Sequence, residues 1–141
     1  MYIAPMSRYI AFDWGAKRTG IAVTDSNSII ATPLKTVETQ DLNTEIARLI
    51  DEEKCGGLVV GVPGLMVGIH TDSSQGIIEF ILYLEKTYPS LSVYTVDEGD
   101  TSNEAMSAMI SGGMKKKNRR QKGALDKISA AIILQRFLEG Q

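Results

Sequence analysis

Cysteine, histidine and tryptophan occur once each in these 141 residues, as Cys55, His70 and Trp14, and proline only four times. A single cysteine excludes an intrachain disulfide, and the reducing cytoplasm is the expected location. Cys55 itself reads as a small residue near a helix end, and His70 as a solvated loop residue. No apolar run approaches the roughly 20 residues of a membrane span, so no membrane association is expected. The N-terminal "MYIAPMSRY" lacks the charged head and long apolar core of a secretory leader. There is no internal repeat and no sign of a second unit. One domain over residues 1–141, long enough to bury a real core, is the expectation.

What is present is the composition of a folded protein, 43% hydrophobic and 23% charged. The net charge of −2 conceals an uneven distribution. Residues 115–122, "KKKNRRQK", hold six of the fifteen Lys and Arg, so the other nine cations face seventeen acids, a net −8. An acidic body with one concentrated basic segment points to a localised polyanion contact, not to a uniformly basic coat. Lys115, Lys116, Lys117, Arg119, Arg120 and Lys122 are therefore candidate phosphate contacts; the plainer reading is a solvated, flexible charge run. That segment contains no aromatic residue, which argues against base stacking there.

Residues 8–14 read as a fully buried strand, because Tyr9, Ile10, Ala11 and Phe12 are apolar without alternation. Gly15 and Gly20 bracket a tight connection to a hairpin partner over 20–25. A third strand over 29–37 contains Pro33, which favours an edge or a strand end. Asp41 caps a helix with Leu42, Ile46, Leu49 and Ile50 at helical period, and Gly56–Gly57 is expected to end it. The continuous "LVVGV" of 58–62 predicts a central parallel strand covered on both faces. Pro63, Gly64 and Gly68 mark a loop. A helix over 72–87 follows, with Ile77, Ile81 and Leu84 on its apolar face, broadened by Ile78 and Leu82. Residues 92–96 form the last strand. Thr101 and Glu104 make a capping box for a helix to about Ile110. A closing helix over 125–138 is expected to turn Leu125, Ile128 and Ile132 inward. Three meandering strands followed by alternating helices and strands imply an α/β fold, with a five-stranded mixed sheet flanked by helices on both faces. Such sheets gather ligands at the carboxyl ends of their strands.

Three acids fall where that end should be. Asp13 closes the first strand, Glu98 follows the last, and Asp126 opens the terminal helix, where the helix dipole favours an anion. Asp126 alone reads as a capping acid and Glu98 alone as a solvated one. Asp13 is harder to dismiss, since a charge after four apolar strand residues is costly unless satisfied. Three carboxylates from distant stretches would repel unless a cation lay among them. Oxygen-only ligands suit Mg²⁺ or Mn²⁺, and in two-metal phosphoryl chemistry such acids hold ions roughly 4 Å apart.

The letters around these acids resemble a known family. "AFDWGAKRTGIAV" (11–23) resembles the opening D-x-G-x-K-R-x-G-x-A motif of the YqgF-type, Holliday-junction-resolvase-like nucleases, which have an RNase H-like fold. "VVGVP" (59–63) is similar to their V-G-L-P turn, "DEGDTSNEA" (97–105) to D-E-R-x-T-S-x-E-A, and "LDKISAAIILQRFL" (125–138) to their closing segment. The matches run in the family's order over nearly the whole chain. The resemblance implies metal-dependent cleavage of nucleic-acid phosphodiesters. Members are associated with processing the ends of the small-subunit ribosomal RNA precursor and with resolving Holliday junctions. It assigns metal ligation and catalysis to Asp13, Glu98 and Asp126, and nucleic-acid contacts to Lys17, Arg18, Thr101 and Ser102. Two positions depart from the pattern: the Arg after the acidic pair is Gly99, and the Asp before a loop Gly is Val67. Neither is a ligand position, but Gly99 removes a cation that could contact a phosphate.

Trp14, directly after Asp13, reads as a core or edge residue in preference to a stacking platform. Other classes stay open at this level. A non-catalytic nucleic-acid or ribosome-associated binder would keep the fold without the chemistry. Asp13, Gly15 and Gly20 also satisfy the D-x-G-x-x-x-x-G phosphate loop of actin-like ATP-binding proteins. That superfamily needs two domains around its nucleotide. Structured RNA is the expected substrate, with branched DNA as the other candidate; monomer and dimer are both open.

Overall fold

The computed structural model describes residues 8–25, 29–53, 55–62, 72–97 and 123–140. Five strands form one mixed sheet in the order β3-β2-β1-β4-β5. β1 (Arg8–Asp13), β4 (Cys55–Val62) and β5 (Ser92–Asp97) run parallel, while β2 (Arg18–Thr24) is antiparallel to β1 and to β3 (Ala31–Glu38). The buried centre belongs to β1 and its two neighbours β2 and β4, none of whose apolar runs alternates. Pro33 lies in edge strand β3, beside a register shift, where a missing N–H and a kink are both tolerated.

Strand alternation divides the core in two. Ile10, Phe12, Ile21, Leu58 and Val60 face α1 (Leu42–Glu53) and α2 (Asp72–Thr87), with the Phe12 and Phe80 rings edge-on at 5.4 Å. Ala11, Ala22 and Val59 face α3 (Ala124–Glu139). At the far end of that helix Phe137 sits against Tyr9 and Tyr94, with ring centroids 4.9 and 4.8 Å away. Lys35 of β3 and Arg48 clamp Glu45 of α1, and their hydrogen bonds, Arg48's foremost, hold its carboxyl below the ordinary value of 4.5. That contribution is complete above the unfolded-state pKa and is lost as pH falls through the lower folded value.

Three local expectations need correction. Gly56 and Gly57 do not end α1, which stops at Glu53; they are the first glycines of β4. A Cβ on Gly57 would meet the Tyr9 ring at 2.7 Å, so that strand needs a bare backbone there. Cys55 is accordingly a strand residue. Its thiol donates to the Gly57 carbonyl, and burial pushes it up to about 11, leaving it protonated and inert at neutral pH. Leu82 is 60% exposed, and Phe80 fills the α2 core face with Ile77 and Leu84. The third correction concerns α3 and bears on function. Leu125, Ile128 and Ile132 are only half-buried, while Ala130, Ile133 and Leu134 are sealed against the sheet.

Candidate active site

The α3 correction decides where Asp126 goes. The helix is apolar on most sides, so periodicity does not select a face. Small residues do: Ala130 can approach Ala11 and Ala22 more closely than Ile128 or Ile132 could. Asp126 lies one turn before Ala130, and residues four apart share a helix face. The side that meets the sheet therefore carries the carboxylate with it.

Gly20 brings the helix start down onto the strands. A Cβ built on Gly20 would stand 2.0 Å from the Asp126 carbonyl oxygen and 2.7 Å from the Lys127 nitrogen. Only a glycine lets these two backbones touch. Gly20 is also the cross-strand register partner of Asp13. Directly opposed residues have Cα atoms ~4.5–5.5 Å apart and present the same sheet face. Asp13 thus shares the α3 face with Ala11, at the carboxyl end of β1, beside the spot where Asp126 enters. A lone Gly inside a strand signals such an approach; reading it as the bracket of a turn missed this role.

Arg18 lies on the same face, two residues before Gly20, and its Nε donates to Asp126 Oδ2 at 3.3 Å. The pair is partly exposed, at 36% and 28%, so solvent screens it. Arg18 is engaged with an acid in this structure, while Lys17, one residue earlier, is exposed at the rim. The connection carrying Trp14 to Lys17 is pinned from the other side. Thr39 Oγ1 donates to the Gly15 carbonyl at 2.6 Å and lies 2.9 Å from Thr19 Oγ1, and the Thr39 N–H donates to the Lys17 carbonyl. Nothing in the local sequence singles out Thr39, since its partners come from two other stretches.

Of the residues expected at the site, Asp13, Lys17, Arg18 and Asp126 come together. Glu98, Gly99, Thr101, Ser102, Val67, the 101–110 helix and the basic residues Lys115, Lys116, Lys117, Arg119, Arg120 and Lys122 lie outside the described residues. β5 ends at Asp97, immediately before Glu98, and is parallel to β1 with β4 between them. Among the described residues no three potential metal ligands cluster; two of the three acids in question are among them. Asp13 and Asp126 offer carboxylate oxygens on one sheet face, the donor type that suits a hard divalent ion, and Asp126 takes the Arg18 guanidinium as counter-charge.

The chain matches a family model described as "RuvX: Holliday junction resolvase" over residues 7–140. It is 43% identical over 136 residues to a protein of Phocaeicola vulgatus named "Putative pre-16S rRNA nuclease", covering 96% of this chain and 98% of that one. A Christiangramia forsetii protein with the same name is 43% identical over 133 residues, covering 94% and 98%. Among solved structures, Thermus thermophilus RuvC in complex with a Holliday junction substrate superposes with a TM-score of 0.58 at 14% identity, covering 95% of this chain and 94% of that one. At that identity the likeness shows the fold, which is RNase H-like, as the motifs implied. The family match and the relatives span almost the whole chain, and the chain belongs to the RuvX Holliday junction resolvase family.

Proposed function

We propose that this chain is a divalent-metal-dependent nuclease that hydrolyses phosphodiester bonds in structured nucleic acid, with the ends of pre-16S rRNA as its substrate. The observation that carries the reading is the contact of Gly20 with the backbone of Asp126, opposite Asp13. The name borne by the 43% identical relatives supports the substrate.

In this reading Asp13 and Asp126, joined by Glu98, hold Mg²⁺ or Mn²⁺. Such ions supply Lewis acidity at the phosphoryl group and lower the pKa of water toward neutrality. The chain's own residues do the rest. Asp13 and Asp126 concentrate negative charge at the rim and orient what binds there. Arg18 holds the Asp126 carboxylate and offsets part of its charge. Lys17, exposed and fixed by the Thr39 contacts behind it, supplies a cation to the scissile phosphate or its neighbour. Both cations sit where an anionic backbone would cross the carboxyl end of β1.

The test is direct. Purified protein with Mg²⁺ or Mn²⁺ should shorten a pre-16S rRNA fragment at its ends, and chelation should stop the reaction. A protein that cuts neither that RNA nor junction DNA at any salt overturns the proposal. Arg18→Ala is expected to slow cleavage by about tenfold with little change in Tm. One charge-assisted hydrogen bond at a half-exposed site is worth about that much. Initial rates beside a thermal melt measure it.

A further inference from the structure

A pocket of about 260 Å³ opens beside Trp14, on the sheet face opposite α3, and Thr39, which pins the Gly15–Lys17 connection, is one of its walls. Its apolar lining is Leu42 and Phe80, both buried, with Trp14 and Tyr83 half-buried. Exposed Asn43 and Glu79 add polar groups. Gly76 of α2 sets the position of the indole. A Cβ there would stand 2.2 Å from Trp14 Cη2, so the ring rests against bare helix backbone.

The geometry points to this pocket as the seat of one unpaired nucleobase, best matched by guanine, from the same nucleic acid strand whose phosphate lies at Asp13. The inference rests on the proposed nuclease reading and adds a specificity element to it. Continuity is the first argument: Trp14 is the residue after Asp13, so the pocket, although on the opposite sheet face from Asp126, opens at the same carboxyl end of β1, within one residue of the candidate site. Size is the second. The volume falls just under the ~300 Å³ at which drug-sized sites begin, which suits a single ring system. Charge is the third. Among the described residues the lining holds no cation, so the pocket is unsuited to phosphate, while Lys17 and Arg18 lie a few residues on. Aromatic walls take any base by its face. Glu79 and Asn43 would then select by the base edge. A carboxylate only accepts, and guanine alone presents two adjacent N–H donors beside a carbonyl that an amide can reach. Trp14 therefore has a second role beyond the edge packing expected of it.

Because Trp14 is the chain's one tryptophan, its emission reports on the pocket. The full chain, held in EDTA so that nothing is cut, is titrated with GMP, AMP, CMP, UMP and ribose 5-phosphate. GMP should give saturable quenching at about tenfold lower concentration than the other nucleotides, and ribose 5-phosphate none. Glu79→Gln, at an exposed position, should erase the GMP preference while leaving the UMP curve in place. Equal response to all nucleotides, a preference for another base, a matching response to ribose 5-phosphate, or an unaltered preference in Glu79→Gln each overturns the assignment. Cleavage assayed separately in Mg²⁺ keeps the two readings apart. Loss of guanine selection with intact cleavage removes only the pocket, and GMP selection by a protein that cuts no nucleic acid removes only the nuclease.

Discussion

Asp13→Asn should lower the rate of phosphodiester cleavage by at least about a hundredfold while leaving the protein folded. Loss of one preorganised electrostatic contributor from a reaction centre costs about 10²–10³ in rate, and in the proposed site the substitution exchanges a carboxylate for a neutral amide of the same shape. The substitution keeps the shape of the side chain, and the buried part of the strand lies elsewhere. Ile10, Ala11 and Phe12 provide the buried part of β1, all at 0% exposure, and Asp13 follows them at the strand's end. Initial rates on a pre-16S fragment in Mg²⁺, beside a thermal melt, would show a large loss of rate with a small change in Tm. In cells, the Asn variant should fail to complement a deletion and precursor rRNA should accumulate. Full complementation would instead favour a nucleic-acid binder that keeps the fold without catalysis.

Gly20→Ala is the second substitution with a large expected effect, and it acts through packing alone. The new methyl would lie 2.0 Å from the Asp126 carbonyl oxygen and 2.2 Å from its carbon. Both are backbone atoms, so no rotamer relieves the overlap. Either the first turn of α3 lifts from β2 or the β1–β2 pair bends. Overpacking of this kind costs about 1–3 kcal/mol, or roughly 3–10 °C in Tm for a chain of this length. Activity should suffer more than stability, because a misplacement of ~1 Å at a reacting centre can cost about a hundredfold. Gly140→Ala is the control. There the nearest atom to the added methyl would be 3.4 Å away, an ordinary contact, and both Tm and rate should barely move. Equal behaviour of the two variants would mean that α3 does not sit on Gly20.

The sequence by itself determined the architecture and the family. Uninterrupted apolar runs in β1 and β4 required cover on both faces, Pro33 required an edge, and Asp13 after Phe12 required satisfaction. Those are local properties, set by what backbone and side chains can tolerate within a few residues. The motifs around Asp13, Glu98 and Asp126 extended the reading to a family because each keeps its letters in a short contiguous stretch. Only the tertiary structure decided which side of α3 meets the sheet, since Leu125, Ile128 and Ile132 are as apolar as Ile133 and Leu134. Closest approach settled it, through Gly20, Ala11, Ala22 and Ala130. The pairing of Arg18 with Asp126, the Thr39 staple and the pocket beside Trp14 likewise join residues from separate stretches. No window along the chain contains both halves of such contacts. Packing chose among faces and neighbours that hydrophobicity alone leaves nearly equal in energy.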